Sequence, residues 1–207
     1  RVSATGRIIS GGTPSRSKGA FQTLEGTGIV VVFEPQFGDV TLEFLCSDLD
    51  GNFAALAHLL EDVPLSVFAH NVECVPRLDK IVRDHRASFE QSLTILREAK
   101  RLRPDILTKS SIMVGVGETD AEVVAAMQML RDVGVDLITI GQYLAPSANH
   151  LSIDRFPPPA TFAEWDMAAR DIGFSGVACG PLVRSSYRAG LLYEEAVTSL
   201  AASSETL

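Results

Sequence analysis

From Val40 onward the chain switches repeatedly between two hydrophobic periods, and this constrains its fold more than any other feature. Strand-like runs, VTLEFLC, LSVFAH, ILTKSSIMV, DLITIGQYL and GFSGVACG, alternate with segments whose apolar residues recur every three or four positions. Phe53, Leu56, Leu59 and Leu60 share one helical face. Ser88, with Gln91 three residues on, opens a helix striped by Phe89, Leu93, Leu96, Ala99 and Leu102, which Pro104 stops. Thr119 with Glu122 opens the next, striped by Val123, Met127, Leu130 and Val133 and ended by Gly134. Thr161 with Glu164 is expected to cap another, ended by Gly173, and a last helix runs through Leu192, Ala196 and Leu200. Strands alternating with helices predict βαβ units and a mostly parallel α/β sheet. Roughly three or four units fit, about half of an eight-unit barrel. Half a sheet leaves an open edge that something must cover.

Residues 1–39 follow neither period. They are rich in Gly, Ser, Thr and basic residues. GIVVVFEP is their one strand-like run, and the remainder reads as loop or as sequence foreign to the domain. At 46% apolar, the 207-residue chain has material for a core. A net charge of −8 argues against a general nucleic-acid binder and against a polybasic membrane anchor. No apolar run nears the roughly 18–20 residues of a spanning helix. Three sparse cysteines, Cys46, Cys74 and Cys179, do not form a secreted disulfide framework. They include no C-x-x-C pair, so each reads as a buried apolar residue. The expected compartment is the cytoplasm, with the mitochondrion as the alternative.

In parallel βα architectures the working residues lie at the carboxyl ends of the strands. Three such ends are polar here: His70 to Cys74, Thr108 to Glu118 and Thr139 to Ser147. Asn71 and Glu73 can take both hydroxyls of a ribose, or an ammonium; the alternative is a strand-end turn. Gly115 and Gly117 let backbone approach a ligand at a helix N-terminus. The third glycine of a dinucleotide loop is absent, and Glu118 and Asp120 would repel a phosphate, so a cationic or neutral ligand suits the loop. The alternative is a tight turn whose acids favour the helix dipole. Lys109 interrupts an apolar strand; facing inward it needs a partner such as a substrate carboxylate. Gln142 and Tyr143 can point to either side. Arg184 to Tyr187, RSSY, can cap a helix or bind an anion, and a serine oxygen is an uncommon iron ligand. His58, His85 and His150 are scattered and read as surface or helix-face residues.

Together these segments resemble the lipoyl synthase family of radical S-adenosylmethionine enzymes. The stretches are VFAHNVECVPRL, VRDHRASFEQSLTILREAKR, LTKSSIMVGVGETDAEV, LRDVGVDLITIGQYLAPSANHLSI and GPLVRSSYRAG, in the family's order between about Val40 and Glu195. The resemblance implies the C-terminal half of a radical-SAM partial (β/α)6 TIM-like barrel. It divides the chain into a non-homologous or poorly ordered segment over 1–39, a barrel region over 40–195 that includes RSSY, and a tail over 196–207. It implies insertion of two sulfurs at C6 and C8 of a protein-bound octanoyl chain. The implied cofactors are two 4Fe-4S clusters and S-adenosylmethionine. The implied partners are an octanoylated lipoyl-carrier domain or H protein, and an electron donor such as flavodoxin or ferredoxin. By the same resemblance, Ser185 is the non-cysteine ligand of the auxiliary iron–sulfur cluster. Asn71 and Glu73 lie near the ribose or methionine of S-adenosylmethionine, and Lys109, Ser111, Gly115, Gly117 and Glu118 line the same pocket. Gln142 and Tyr143 sit at the last strand mouth, and Arg184 positions the RSSY loop.

The family's two cysteine motifs, C-x-x-x-C-x-x-C and C-x-x-x-x-C-x-x-x-x-x-C, do not occur. Cys74 stands where the family commonly has Thr. Ser185 alone cannot hold a cluster. The expectation is a truncated lipoyl synthase, inactive as this chain, with residues 1–39 out of frame, intergenic or unrelated. Two readings compete with it. One is a non-catalytic half-barrel binding module for a carrier protein or a nucleoside ligand. The other is an unrelated βα enzyme with a phosphorylated ligand, which the acidic loop and the RSSY match disfavour.

Overall fold

The computed structural model describes residues 20–24, 29–33 and 41–204. β1 (Ala20–Leu24) and β2 (Ile29–Phe33) form an antiparallel pair, with Ala20 opposite Phe33 and Leu24 opposite Ile29. The strand expected around GIVVVF is therefore present, and Ala20–Leu24, read as loop, is a second strand. AFQTL has the alternating apolar and β-forming residues that suit a strand. The rest of residues 1–39 lies outside the described residues.

The main sheet has five parallel strands in chain order: β3 (Glu43–Leu45), β4 (Val67–Ala69), β5 (Leu107–Val114), β6 (Leu137–Gln142) and β7 (Gly176–Gly180). Helices α1 (Phe53–Asp62), α2 (Asp79–Val82), α3 (Phe89–Leu102), α4 (Asp120–Asp132), α5 (Pro159–Ile172) and α6 (Ala189–Ser204) complete the order. The βα alternation read from the sequence is the fold. Among the described residues no helix is long and apolar enough to cross a membrane.

Capping explains most helix boundaries. Ser88 accepts from the Gln91 amide at 3.1 Å, but the Gln91 side chain reaches across to Asp48 at 2.8 Å, so the box is only half made. Thr119 and Glu122 make the complete reciprocal box. Gly173, in the left-handed region at φ 100°, ends α5. The start of α5 is a correction. Thr161 does not cap it; the helix begins two residues earlier at Pro159, with Pro158 at the cap position. Proline's fixed φ suits a first turn, whose amide would lack a partner anyway.

Strand alternation sorts the sheet into two faces. Phe68, Ile112, Ile138, Ile140 and Val177 pack outward into the main core with Leu96 of α3, Met127 and Leu130 of α4 and Trp165 of α5. Val67, Leu107 and Leu137 form a second, inner cluster, and α6 covers it with Leu192 and Ala196. Gly176 makes this cover possible: a Cβ there would lie 2.7 Å from Leu137 Cδ2 and 2.9 Å from the Leu192 carbonyl oxygen. Helix α6 therefore fills the inner face near the strand starts and leaves the strand ends open.

Candidate functional site at the strand carboxyl ends

A half-open cavity of about 210 Å³ sits at the carboxyl ends of β4, β5 and β6. Asn71, Glu73, Ser111, Gln142, Arg184 and Ser185 line it, with Tyr143, Leu144 and Pro146 as one wall. Five of the sequence-derived site residues thus converge: Asn71, Glu73, Ser111, Gln142 and Ser185.

The β4 end is bent to place its polar pair. Ala69 pairs with Lys109, but Glu73 bridges to Ile112, so four residues advance against three and the strand bulges. Glu73 pays for this with a left-handed backbone, φ 68°. Two ladder bonds hold it there, Glu73 N to Ser111 O at 3.1 Å and Met113 N to Glu73 O at 2.7 Å. Asn71 Nδ2 donates to Glu73 Oε1 at 3.2 Å, while Asn71 Oδ1 is buried without a hydrogen-bond partner among the described residues. Burial raises the Glu73 carboxyl above its ordinary range, against the Asn71 hydrogen bond that lowers it. An orphaned acceptor beside a desolvated carboxylate calls for donors, such as hydroxyls or an ammonium.

His70, the first residue of HNVE, faces away from the cavity. It is buried, with Nδ1 2.9 Å from Cys46 O and Nε2 2.8 Å from Ser92 Oγ. Burial lowers its pKa. Both ring nitrogens are committed to holding the β3 end and α3 against β4.

Gly115, Gly117 and Glu118 are not among the residues lining the cavity. The Glu118 carboxylate accepts from Gly115 N at 2.7 Å and Val116 N at 3.0 Å. It occupies the amide nest that an external anion would have used. Gly115 is a glycine for packing reasons: its φ is +94°, and a Cβ would collide with the Gln142 amide and lie 2.5 Å from the Arg155 carbonyl oxygen. The acids of this turn are paired internally. Arg77 binds Glu122 at 2.6 and 2.9 Å and the Gly117 carbonyl at 2.7 Å. Arg155 reaches Asp120 at 2.7 Å and Glu118 at 3.3 Å. A cationic ligand is not needed to balance them.

Lys109 lies deeper on the inner face, fully buried. Both Glu43 oxygens accept from its Nζ at 2.8 Å. Its carboxylate partner in the structure is Glu43 of β3. Gln142 is buried, and its Nε2 donates to Tyr143 O at 3.0 Å and Arg155 O at 3.2 Å. The RSSY loop folds onto β6. Arg184 Nη1 donates to Gln142 O at 3.0 Å, and a Cβ on Gly141 would overlap the Val183 carbonyl oxygen. This brings Ser185 to the cavity.

Among the described residues no group of three or more His, Cys, Asp or Glu is placed to hold a metal ion. Burial pushes the Cys46 and Cys74 thiols up to about 12 and raises that of Cys179. The three cysteines follow or lie in different strands and do not meet in one group. These residues do not fit an iron–sulfur cluster. The residues that sequence reading missed are Arg77, Arg155 and Glu43, each of which acts across at least 35 residues of chain.

A parallel βα sheet with its polar residues gathered at the strand carboxyl ends is that of a partial-barrel enzyme family. No family model matches the chain. It is 46% identical over 151 residues to the mitochondrial lipoyl synthase of Xenopus laevis, covering 73% of this chain and 40% of that protein. It is 49% identical over 155 residues to the chloroplastic lipoyl synthase of Arabidopsis thaliana, covering 75% and 39%. It is 50% identical over 155 residues to the chloroplastic lipoyl synthase 1 of Populus trichocarpa, covering 75% and 41%. The chain belongs to the lipoyl synthase family. It spans about two fifths of the length of the curated relatives it matches.

Proposed function

We propose that this chain carries the S-adenosylmethionine-binding end of a lipoyl synthase and, alone, binds that ligand without inserting sulfur. The observation that carries the reading is the convergence of Asn71, Glu73 and Ser111 in one cavity, with an orphaned acceptor and a desolvated carboxylate side by side. At about 210 Å³ the cavity is smaller than a full small-molecule site. It suits one arm of S-adenosylmethionine, ribose hydroxyls or α-ammonium, with Asn71 Oδ1 and Glu73 accepting. Ser185, Gln142 and Arg184 close the opposite side.

The whole family reaction would place two sulfurs on C6 and C8 of an octanoyl chain held by a lipoyl-carrier domain or H protein. A flavodoxin or ferredoxin would supply electrons. When bound, S-adenosylmethionine supplies the source of a carbon radical for that chemistry. The chain's three cysteines cannot provide the thiolates of two 4Fe-4S clusters, so no step through a cluster is assigned to it. The cytoplasm is the proposed compartment, an organelle being the alternative that the mitochondrial and chloroplastic relatives suggest.

The test is equilibrium dialysis of the chain against labelled S-adenosylmethionine, alongside anaerobic reconstitution with iron and sulfide. Binding that weakens about tenfold in both Asn71→Leu and Glu73→Gln, one lost charge-assisted or orphan-satisfying bond each, supports the reading. Absence of binding, or binding indifferent to both changes, overturns it. Stoichiometric iron and sulfide on the chain would overturn the assignment of binding without sulfur insertion.

A further inference from the structure

The cavity's outer wall, Tyr143 to Pro146, belongs to a long excursion between β6 and α5, and residues 144–150 are exposed. Two regions anchor the excursion. At its start, Tyr143 N donates to Val114 O at 2.8 Å. At its end, Asp154 N donates to Gly115 O at 2.9 Å, and the Arg155 carbonyl accepts from Gln142. The Arg155 side chain then crosses to the β5 turn, where one nitrogen, Nη2, bonds both Asp120 and Glu118. Its guanidinium carbon stands 6.0 Å from the ring centroid of Trp165, which is buried in α5. Glu118 itself is locked by the Gly115 and Val116 amides. From the other side, Arg77 grips the same turn through Gly117 O and Glu122. Loops following three successive strands are braced together by two arginines, and neither guanidinium touches the cavity.

We propose that Arg155 is a positioning residue: by clamping the β5 turn to the β6–α5 excursion, it holds the Tyr143–Pro146 wall where a ligand in the cavity meets it. The inference deepens the cavity's reading as an S-adenosylmethionine site and rests on it only for the ligand readout. The physical logic is pre-organisation. A segment tethered at both ends, here by a backbone bond at its start and by backbone and charge-assisted bonds at its end, loses less freedom when a ligand docks than one tethered at a single end. Both carboxylate contacts use one nitrogen, and Nε is buried without a partner among the described residues. A lysine ammonium can therefore replace the essential contact, although not the stacking on Trp165.

The experiment compares the full chain with Arg155→Met and Arg155→Lys by hydrogen exchange, by emission of Trp165, the chain's single tryptophan, and by S-adenosylmethionine dialysis. Arg155→Met is expected to speed exchange over 143–154 about tenfold, with α3 and β4 amides unchanged, and to shift Trp165 emission. The dissociation constant should rise on the order of tenfold without loss of cooperative unfolding, and Arg155→Lys should recover most of the exchange protection and affinity but not the emission. Unchanged exchange over 143–154 in Arg155→Met overturns the clamp, as does loosening spread evenly over the sheet. A variant with a loosened wall and undiminished affinity overturns the positioning role. Should the unaltered chain bind no S-adenosylmethionine, the reading of the cavity falls, while exchange and emission still decide the clamp. If Arg155→Met fails to fold, Asp120→Ala, which removes the shorter contact from an exposed position, must reproduce the local exchange or the clamp is wrong.

Discussion

Replacing Lys109 by Met removes the buried cation on the inner face of the sheet and leaves Glu43 facing a desolvated gap. The pair is well formed, with both Glu43 oxygens 2.8 Å from Nζ and Lys109 only 1% exposed. Breaking one partner of such a pair costs about 3–5 kcal/mol. The Glu43 side chain is still 21% exposed, so water relieves part of that penalty, and about 2–3 kcal/mol is expected. With a urea dependence of about 2 kcal/mol per molar, the midpoint falls by roughly 1 M. Glu43→Leu/Lys109→Met should recover most of the loss, because a buried pair exchanged for apolar groups is often neutral. The assay is urea unfolding of both single variants and the double one, read as a cycle. A loss below about 1 kcal/mol for Lys109→Met, or purely additive variants, would refute the pairing as an energetic unit. The double variant also decides the ligand question. If it folds and still binds S-adenosylmethionine, Lys109 serves the sheet and not the cofactor.

Three further outcomes follow from the site. Burial raises the Glu73 carboxyl above its ordinary 4.5. The folded chain therefore keeps that proton to higher pH than the unfolded chain, and the cost of ionising it is complete above the raised value and absent below 4.5. Glu73→Gln should raise the melting temperature at about pH 8 and leave it unchanged at about pH 3.5, by thermal unfolding at both; an equal gain at the two pH values would contradict this. The Arg77 hydrogen bond, then the Thr119 amide, hold Glu122 down to about 2. What that carboxylate contributes is present above 4.5 and lost as pH falls through about 2; a carboxyl-carbon NMR titration should place its midpoint there and show it rising in Arg77→Met. Gly141→Ala should push the RSSY loop off β6, because the new Cβ overlaps the Val183 carbonyl. The loss is about 2–4 kcal/mol, the overpacking cost plus the broken Arg184 contact; thermal unfolding with little change would show that the loop can shift freely.

The fold was legible because strand-like runs alternate with helical stripes along the chain, although a strand buried on both faces need not be apolar throughout. Six of the eight residues of Leu107–Val114 before Met113 are buried in succession, polar ones included. Helix starts were legible where a side chain makes the cap, as at Ser88 and Thr119, and not at Pro159, where the proline ring itself sets the first turn. The residues that line the cavity were legible as polar positions in or just after strands. Their surroundings were not, since Glu43 meets Lys109 from 66 residues away and Arg155 meets Asp120 from 35. Local sequence shows that Glu118, Asp120 and Glu122 are acidic, but only topology shows which cations come to them. The reading of a cationic or neutral ligand at that turn was made without the internal partners: Arg155 pairs Asp120 and Glu118, and the Glu118 carboxylate fills the amide nest.

The arrangement of the half-sheet explains why a cavity can form on it at all. Every wall of the cavity comes from the ends of β4, β5 and β6 or from the turn after β7, four neighbouring strands of one sheet. Among the described residues none comes from beyond β3. The inner face below the cavity is closed by α6 at the strand starts and by the Glu43–Lys109 pair at mid-height. The loops above it are cross-braced by Arg77 and Arg155. The residues proposed to recognise a ligand thus all come from neighbouring strands of one sheet, whereas Cys46, Cys74 and Cys179 do not meet in a group that could hold a metal ion among the described residues.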